Sequence, residues 1–96
     1  MKYIKNIKKI NIKGCGNIYE GFKYLKNTNI LTISFCNIKN ILKYLRNVNI
    51  LNIKGCEITE EDVKYLKNTI NFDYCNINYD YIKYLKKINY SLKNCY

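Results

Sequence analysis

Five cysteines, Cys15, Cys36, Cys56, Cys75 and Cys95, follow one another at gaps of 21, 20, 19 and 20 residues along a 96-residue chain. A second marker keeps the same beat. It reads Lys2-Tyr3-Ile4-Lys5-Asn6, Lys23-Tyr24-Leu25-Lys26-Asn27, Lys43-Tyr44-Leu45-Arg46-Asn47, Lys64-Tyr65-Leu66-Lys67-Asn68 and Lys83-Tyr84-Leu85-Lys86-Lys87. Two independent markers at one period restrict the chain to stacked copies of a single supersecondary unit. About 20 residues cannot bury their own apolar face, whereas stacked neighbours share a continuous core.

The apolar residues between the markers define the unit. Two of them, two positions apart, precede each cysteine: Ile10 and Ile12, Leu31 and Ile33, Leu51 and Ile53, Ile70 and Phe72, Tyr90 and Leu92. Alternation of period two predicts a short strand with one buried face. An isoleucine follows four of the cysteines, at Ile18, Ile38, Ile58 and Ile77. Then Phe22 with Leu25, Leu42 with Leu45, Val63 with Leu66, and Ile82 with Leu85 stand three apart, a spacing that puts each pair on one face of a helical turn. One turn carries a start signal, Thr59-Glu60-Glu61-Asp62, a capping box with Asp in the fourth place. Each repeat therefore predicts a strand, a corner at the cysteine, a short helix and a Lys-Asn loop, with the strands paired in parallel about 4.8 Å apart.

The string Leu51-Asn52-Ile53-Lys54-Gly55-Cys56-Glu57-Ile58, with Val48 three residues ahead of it, resembles the leucine-rich repeat consensus L-x-x-L-x-L-x-x-N/C-x-L. Thr28 to Ile38 fits the same pattern, with Thr28 where an aliphatic is usual. The resemblance implies an α/β, right-handed leucine-rich-repeat solenoid, with a short parallel β-sheet on the concave side and short helices or turns on the convex side. Residues 1–96 are expected to form a single domain of about four repeats plus a final strand. The register slips twice: an extra residue follows Cys15, and the fourth strand is one residue short before Ile70. No cap motif flanks the repeats, and a strand edge at Cys95-Tyr96 invites end-to-end self-association.

Cysteines recurring once per turn form a rising column that does not converge as a tetrahedral metal site requires. There is also no CxxC pair and no histidine. Their odd number argues against a disulfide ladder. The repeat family holds Asn or Cys at this corner, turned inward, which implies a structural column of buried free thiols at Cys15, Cys36, Cys56, Cys75 and Cys95.

The formal charge is +10, but Asn, Ile and Lys number 16 each and Tyr 11, the residues with the codons richest in A and T. An AT-rich genome, such as those of some large DNA viruses, produces this bias without selecting for a basic protein. No stretch approaches the roughly 18–20 apolar residues of a membrane span, and the lysines from Lys2 to Lys9 interrupt any secretory signal. The expectation is a protein of the cytoplasm, the host's if the source is viral. Without histidine, nucleophile elbow, phosphate loop or paired carboxylates outside Glu60-Glu61-Asp62, the chain is expected to be no enzyme and to use no cofactor or metal.

Function is then expected on the outward residues of the strands. One column reads Asn11, Thr32, Asn52, Asn71, Ser91, and the next Lys13, Ser34, Lys54, Asp73, Lys93. Near the corner lie Gly14, Phe35, Gly55, Tyr74 and Asn94, of which Phe35 and Tyr74 are the anchor candidates. This face predicts a protein partner and a scaffolding role. The alternatives are nucleic acid held by the Lys-Tyr-Leu-Lys-Asn stripe, and a fragment of an expanded repeat family with no activity of its own. A membrane partner is not expected.

Overall fold

The computed structural model describes residues 8–14, 25–39, 41–64 and 66–95. Five strands, β1 (Lys9–Lys13), β2 (Ile30–Ser34), β3 (Ile50–Lys54), β4 (Thr69–Asp73) and β5 (Tyr90–Lys93), form one sheet. The sheet runs in chain order with every neighbouring pair parallel. The fold is thus α/β, with one strand for each period of the sequence and few helices.

Register follows the predicted columns. Ile10, Leu31, Leu51, Ile70 and Tyr90 stand side by side, as do Ile12, Ile33, Ile53, Phe72 and Leu92. In β2, β3 and β4 these side chains are fully buried. They are joined by Ile38, Ile58 and Ile77, which follow the cysteines and close the core on its second side. In the outer strands Ile10, Ile12 and Leu92 are half-buried and Tyr90 is exposed.

The return segments are short because each needs only one turn to bring two apolar residues inward. Residues Leu42–Leu45 form a 3-10 turn, whose three-residue period aligns the buried Leu42 and Leu45. Helix α1 (Glu60–Lys64) buries Val63, and Leu66 follows it into the core. A 3-10 turn at Tyr79–Tyr81 leads into α2 (Ile82–Leu85), which buries Leu85 and leaves Ile82 half-buried. These elements stack on one another in the order of the strands. Of the predicted helical pairs, Phe22 with Leu25 lies partly outside the described residues.

The predicted cap on α1 forms in altered chemistry. Asp62 reaches back to accept the Thr59 N–H at 3.0 Å, as in a capping box. The Thr59 hydroxyl donates to the same carboxylate oxygen at 2.7 Å instead of accepting from the helix. Between turns, the Tyr84 hydroxyl donates to Glu60 Oε2 at 2.5 Å, tying α2 to α1.

The shortened fourth repeat does not lose strand. β4 has five residues, and Thr69 pairs with Ile50. The missing residue comes out of the approach to the strand. Val48 plugs the core there in the preceding turn, and Asn68 is the buried residue in this one. Its amide Nδ2 donates to the carbonyls of Leu45 and Val48, so the polar replacement also bonds the preceding turn.

Thr28 stands one turn before Val48, equally buried, and its hydroxyl has no hydrogen-bond partner among the described residues. A buried, unsatisfied hydroxyl costs folding energy that a methyl group of the same shape does not. Thr28→Val is therefore expected to stabilise the fold by about 1 kcal/mol, read as a higher urea midpoint. An unchanged or lower midpoint would refute the account of this position.

Candidate functional site on the outward sheet face

The outward face carries the polar columns in the register read from the sequence. Asn11, Thr32, Asn52, Asn71 and Ser91 align across the five strands, as do Lys13, Ser34, Lys54, Asp73 and Lys93. The first column is bonded to itself. Ser91 Oγ donates to Asn71 Oδ1 at 2.8 Å, Asn71 Nδ2 to Asn52 Oδ1 at 2.8 Å, and Asn52 Nδ2 to Thr32 Oγ1 at 3.3 Å. A side-chain ladder of this kind adds to strand pairing at about 0.5–1.5 kcal/mol per bond. It also occupies much of the hydrogen-bonding capacity that a partner would otherwise use.

The second column supplies charge. Lys13, Lys54 and Lys93 are exposed, and Asp73 lies half-buried between Lys54 and Lys93 in register. Asn94 Nδ2 donates to Asp73 Oδ1 at 3.1 Å. Ser34 corrects the expectation of an outward contact. It is buried at 7 % exposure, because its short side chain sits in register between two long lysines, Lys13 and Lys54. Thr32, Asn52, Lys54, Asn71, Asp73 and Lys93 line a shallow depression of about 440 Å³ on this face.

A third outward column, Lys9, Ile30, Ile50 and Thr69, is absent from the sequence reading. Ile30 and Ile50 are half-buried there and give the face an apolar margin. Their signal was present, since each immediately precedes the apolar pair of its strand 20 residues apart. A run of two adjacent apolar residues conceals which of them faces outward.

At the end of each strand the chain turns through one left-handed residue. Gly14 (φ 70°), Phe35 (φ 54°), Gly55 (φ 65°), Tyr74 (φ 56°) and Asn94 (φ 56°) form that column. The turn keeps the backbone ladder intact. The N–H groups of Gly14, Phe35, Gly55 and Tyr74 donate to the carbonyls of Ser34, Lys54, Asp73 and Lys93 at 2.8–2.9 Å. Glycine and asparagine suit this conformation, but a bulky aromatic side chain in it is strained by roughly 1–2 kcal/mol.

Phe35 and Tyr74 are nevertheless 54 % and 49 % exposed, so burial does not repay that strain. The Phe35 ring lies against Gly55, where even a Cβ would collide with Cδ1 and Cε1 of the ring. Lys54 Nζ stands 5.8 Å from the Tyr74 ring centroid, within cation–π range. Phe35, Lys54, Gly55 and Tyr74 thus form a continuous aromatic and cationic ridge. Beside Phe35 a hollow of about 520 Å³ extends past Cys36, Lys39, Glu57 and Thr59.

The cysteines lie directly behind this ridge. Cys36, Cys56, Cys75 and Cys95 form the described part of the column, the first three buried and Cys95 half-buried. Each Sγ donates to the carbonyl two residues back, Ser34, Lys54, Asp73 and Lys93, at 3.3–3.5 Å. Cys75 also donates to Ile53 in the adjacent turn at 3.4 Å. Burial raises the Cys75 pKa to about 11 and shifts Cys56 in the same direction. Protonated, buried, hydrogen-bonded thiols are poor nucleophiles and poor metal ligands. Among the described residues no three His, Cys, Asp or Glu side chains come together as a metal site, and no helix is long and apolar enough to cross a membrane. Cys15 lies outside the described residues.

Compared with known proteins, the chain matches no family model, no curated protein and no solved structure.

Proposed function

We propose that this chain is a non-enzymatic, intracellular binding module, a leucine-rich-repeat-type solenoid that holds another protein on its outward sheet face. One observation carries the reading: two half-exposed aromatics, Phe35 and Tyr74, occupy left-handed positions that glycine or asparagine fills in the other turns. Strain that folding does not need, kept at an exposed site, is characteristic of functional positions. Aromatic side chains are also enriched at the cores of interfaces and among their anchors. Lys54 and the half-buried Ile30 and Ile50 extend the surface on either side of the Thr32–Asn52–Asn71 ladder.

The solenoid assignment rests on strand order, register and the consensus resemblance of Val48 to Ile58. The test follows from the column itself. Phe35→Gly and Tyr74→Gly put at each site a residue that the same bend already uses, so stability should stay within about 1 kcal/mol of the parent. A partner cross-linked to the parent chain in its native cell should bind each variant about 30-fold more weakly, as for loss of an anchor worth about 2 kcal/mol. Undiminished binding to both variants would move the interface off this face.

A further inference from the structure

The helical side of the molecule carries a second surface with different chemistry. Equivalent positions of successive turns give two rows of exposed cations, Lys26, Arg46, Lys67 and Lys86, and Lys43, Lys64 and Lys83. The return elements of the last three turns, Leu42–Leu45, α1 and the segment through α2, pack against one another in order. The rows therefore run along the stack, neighbouring cations following the strand repeat of about 4.8 Å at the sheet. A single cation would complement the carbonyl end of each short helical turn; here most turns carry two.

The carboxylates on this side do little to offset them. Asp62 is buried and bonded to Thr59, and Glu60 accepts the Tyr84 hydroxyl. Glu61 and Asp80 are the other exposed acids of the helical elements. Against the seven cations of the two rows stand three exposed acids of the described helical elements, Glu60, Glu61 and Asp80, which leaves the surface net positive. Of the two marker tyrosines described, Tyr44 is exposed and Tyr84 half-buried, so the regularly spaced cations are the main feature of this surface, and they suit a repeating anion.

We propose that these rows bind the phosphodiester backbone of nucleic acid without reading its sequence. The surface is separate from the sheet face, and the inference stands independently of the protein partner proposed above. The probes are a fluorescent 20-base-pair DNA duplex and one of its strands, followed by anisotropy at 50–200 mM salt; the tighter arm identifies the form preferred. With about four to seven phosphate contacts, affinity for the duplex should fall roughly 10²- to 10⁴-fold across that range.

Two triple variants with equal change in charge separate the surface from the net charge. Lys26→Glu, Arg46→Glu and Lys67→Glu together should weaken binding about 30-fold or more, whereas Lys13→Glu, Lys54→Glu and Lys93→Glu on the sheet face should cost less than about 5-fold. All six side chains are exposed, so each variant should fold, which circular dichroism is to check. No binding at 50 mM salt, equal loss in the two triples, or competition by polyglutamate as effective as that by DNA would each overturn the proposal.

Discussion

Replacing Phe72 with alanine is expected to lower stability by about 3–5 kcal/mol, a large share of the 5–15 kcal/mol that holds a domain together. Phe72 is fully buried: it lies in β4, in register with Ile53 on one side and Leu92 on the other. The other turns fill this position with Ile or Leu, so the ring occupies more volume than its neighbours do. Its loss opens a cavity where only adjacent turns can respond, because each turn of a stacked array contacts mainly those beside it. Phe72→Leu should cost about 1 kcal/mol, and Leu92→Ala, at a half-buried outer site, less than half the cost of Phe72→Ala. Urea unfolding followed by circular dichroism measures all three. A Phe72→Ala loss below about 1 kcal/mol would mean that the stack closes around the gap, contrary to its packing.

Much of this architecture is legible in the sequence because the repeat imposes its own register. Once the Leu31–Ile33 and Leu51–Ile53 pairs are aligned, the partners of Thr32, Asn52 and Asn71 follow without further information, and the sheet has them in that alignment. The buried isoleucines after the cysteines and the Leu42–Leu45 pair follow from spacing in the same way. Whether a one-turn return is 3-10 or α depends on packing rather than pattern: Leu42–Leu45 is the first, Glu60–Lys64 the second.

The site was less legible. The ladder from Ser91 to Thr32 depends on rotamers that composition does not specify, and it changes that column from a free recognition surface to a largely self-satisfied one. Burial of Ser34 likewise depends on the length of its lysine neighbours. The left-handed bend at Phe35 and Tyr74 had a signal in Gly14, Gly55 and Asn94 at the same register, residues that tolerate positive φ. Alternation of glycine with aromatics obscured it, since aromatics seldom adopt that conformation. The strained pair matters because it separates two demands on one column: folding favours glycine there, and an interface favours a ring.

Raising the pH from 9 to 11 is expected to remove on the order of 2–3 kcal/mol of stability through Cys75 alone. Burial is the chief reason its pKa rises from 9.0 to about 11, the nearby Cys56 and Cys95 thiols adding to it and backbone hydrogen bonds opposing it. A folded-state pKa above the unfolded value means that the native protein keeps a proton the unfolded chain gives up. The contribution is therefore complete below about pH 9 and disappears as pH climbs to about 11, with Cys56 shifted in the same direction. Urea midpoints measured across this window should fall for the parent and fall less steeply for Cys75→Ala, whatever the variant's stability at neutral pH. Thiol labelling gives a second reading. At pH 8, the half-buried Cys95 should react first and the fully buried Cys75 last, its rate limited by opening of the stack. Equal slopes for parent and Cys75→Ala, or labelling of Cys75 as fast as Cys95, would show that the column is open to solvent. Its cysteines would then be candidates for chemistry rather than for packing.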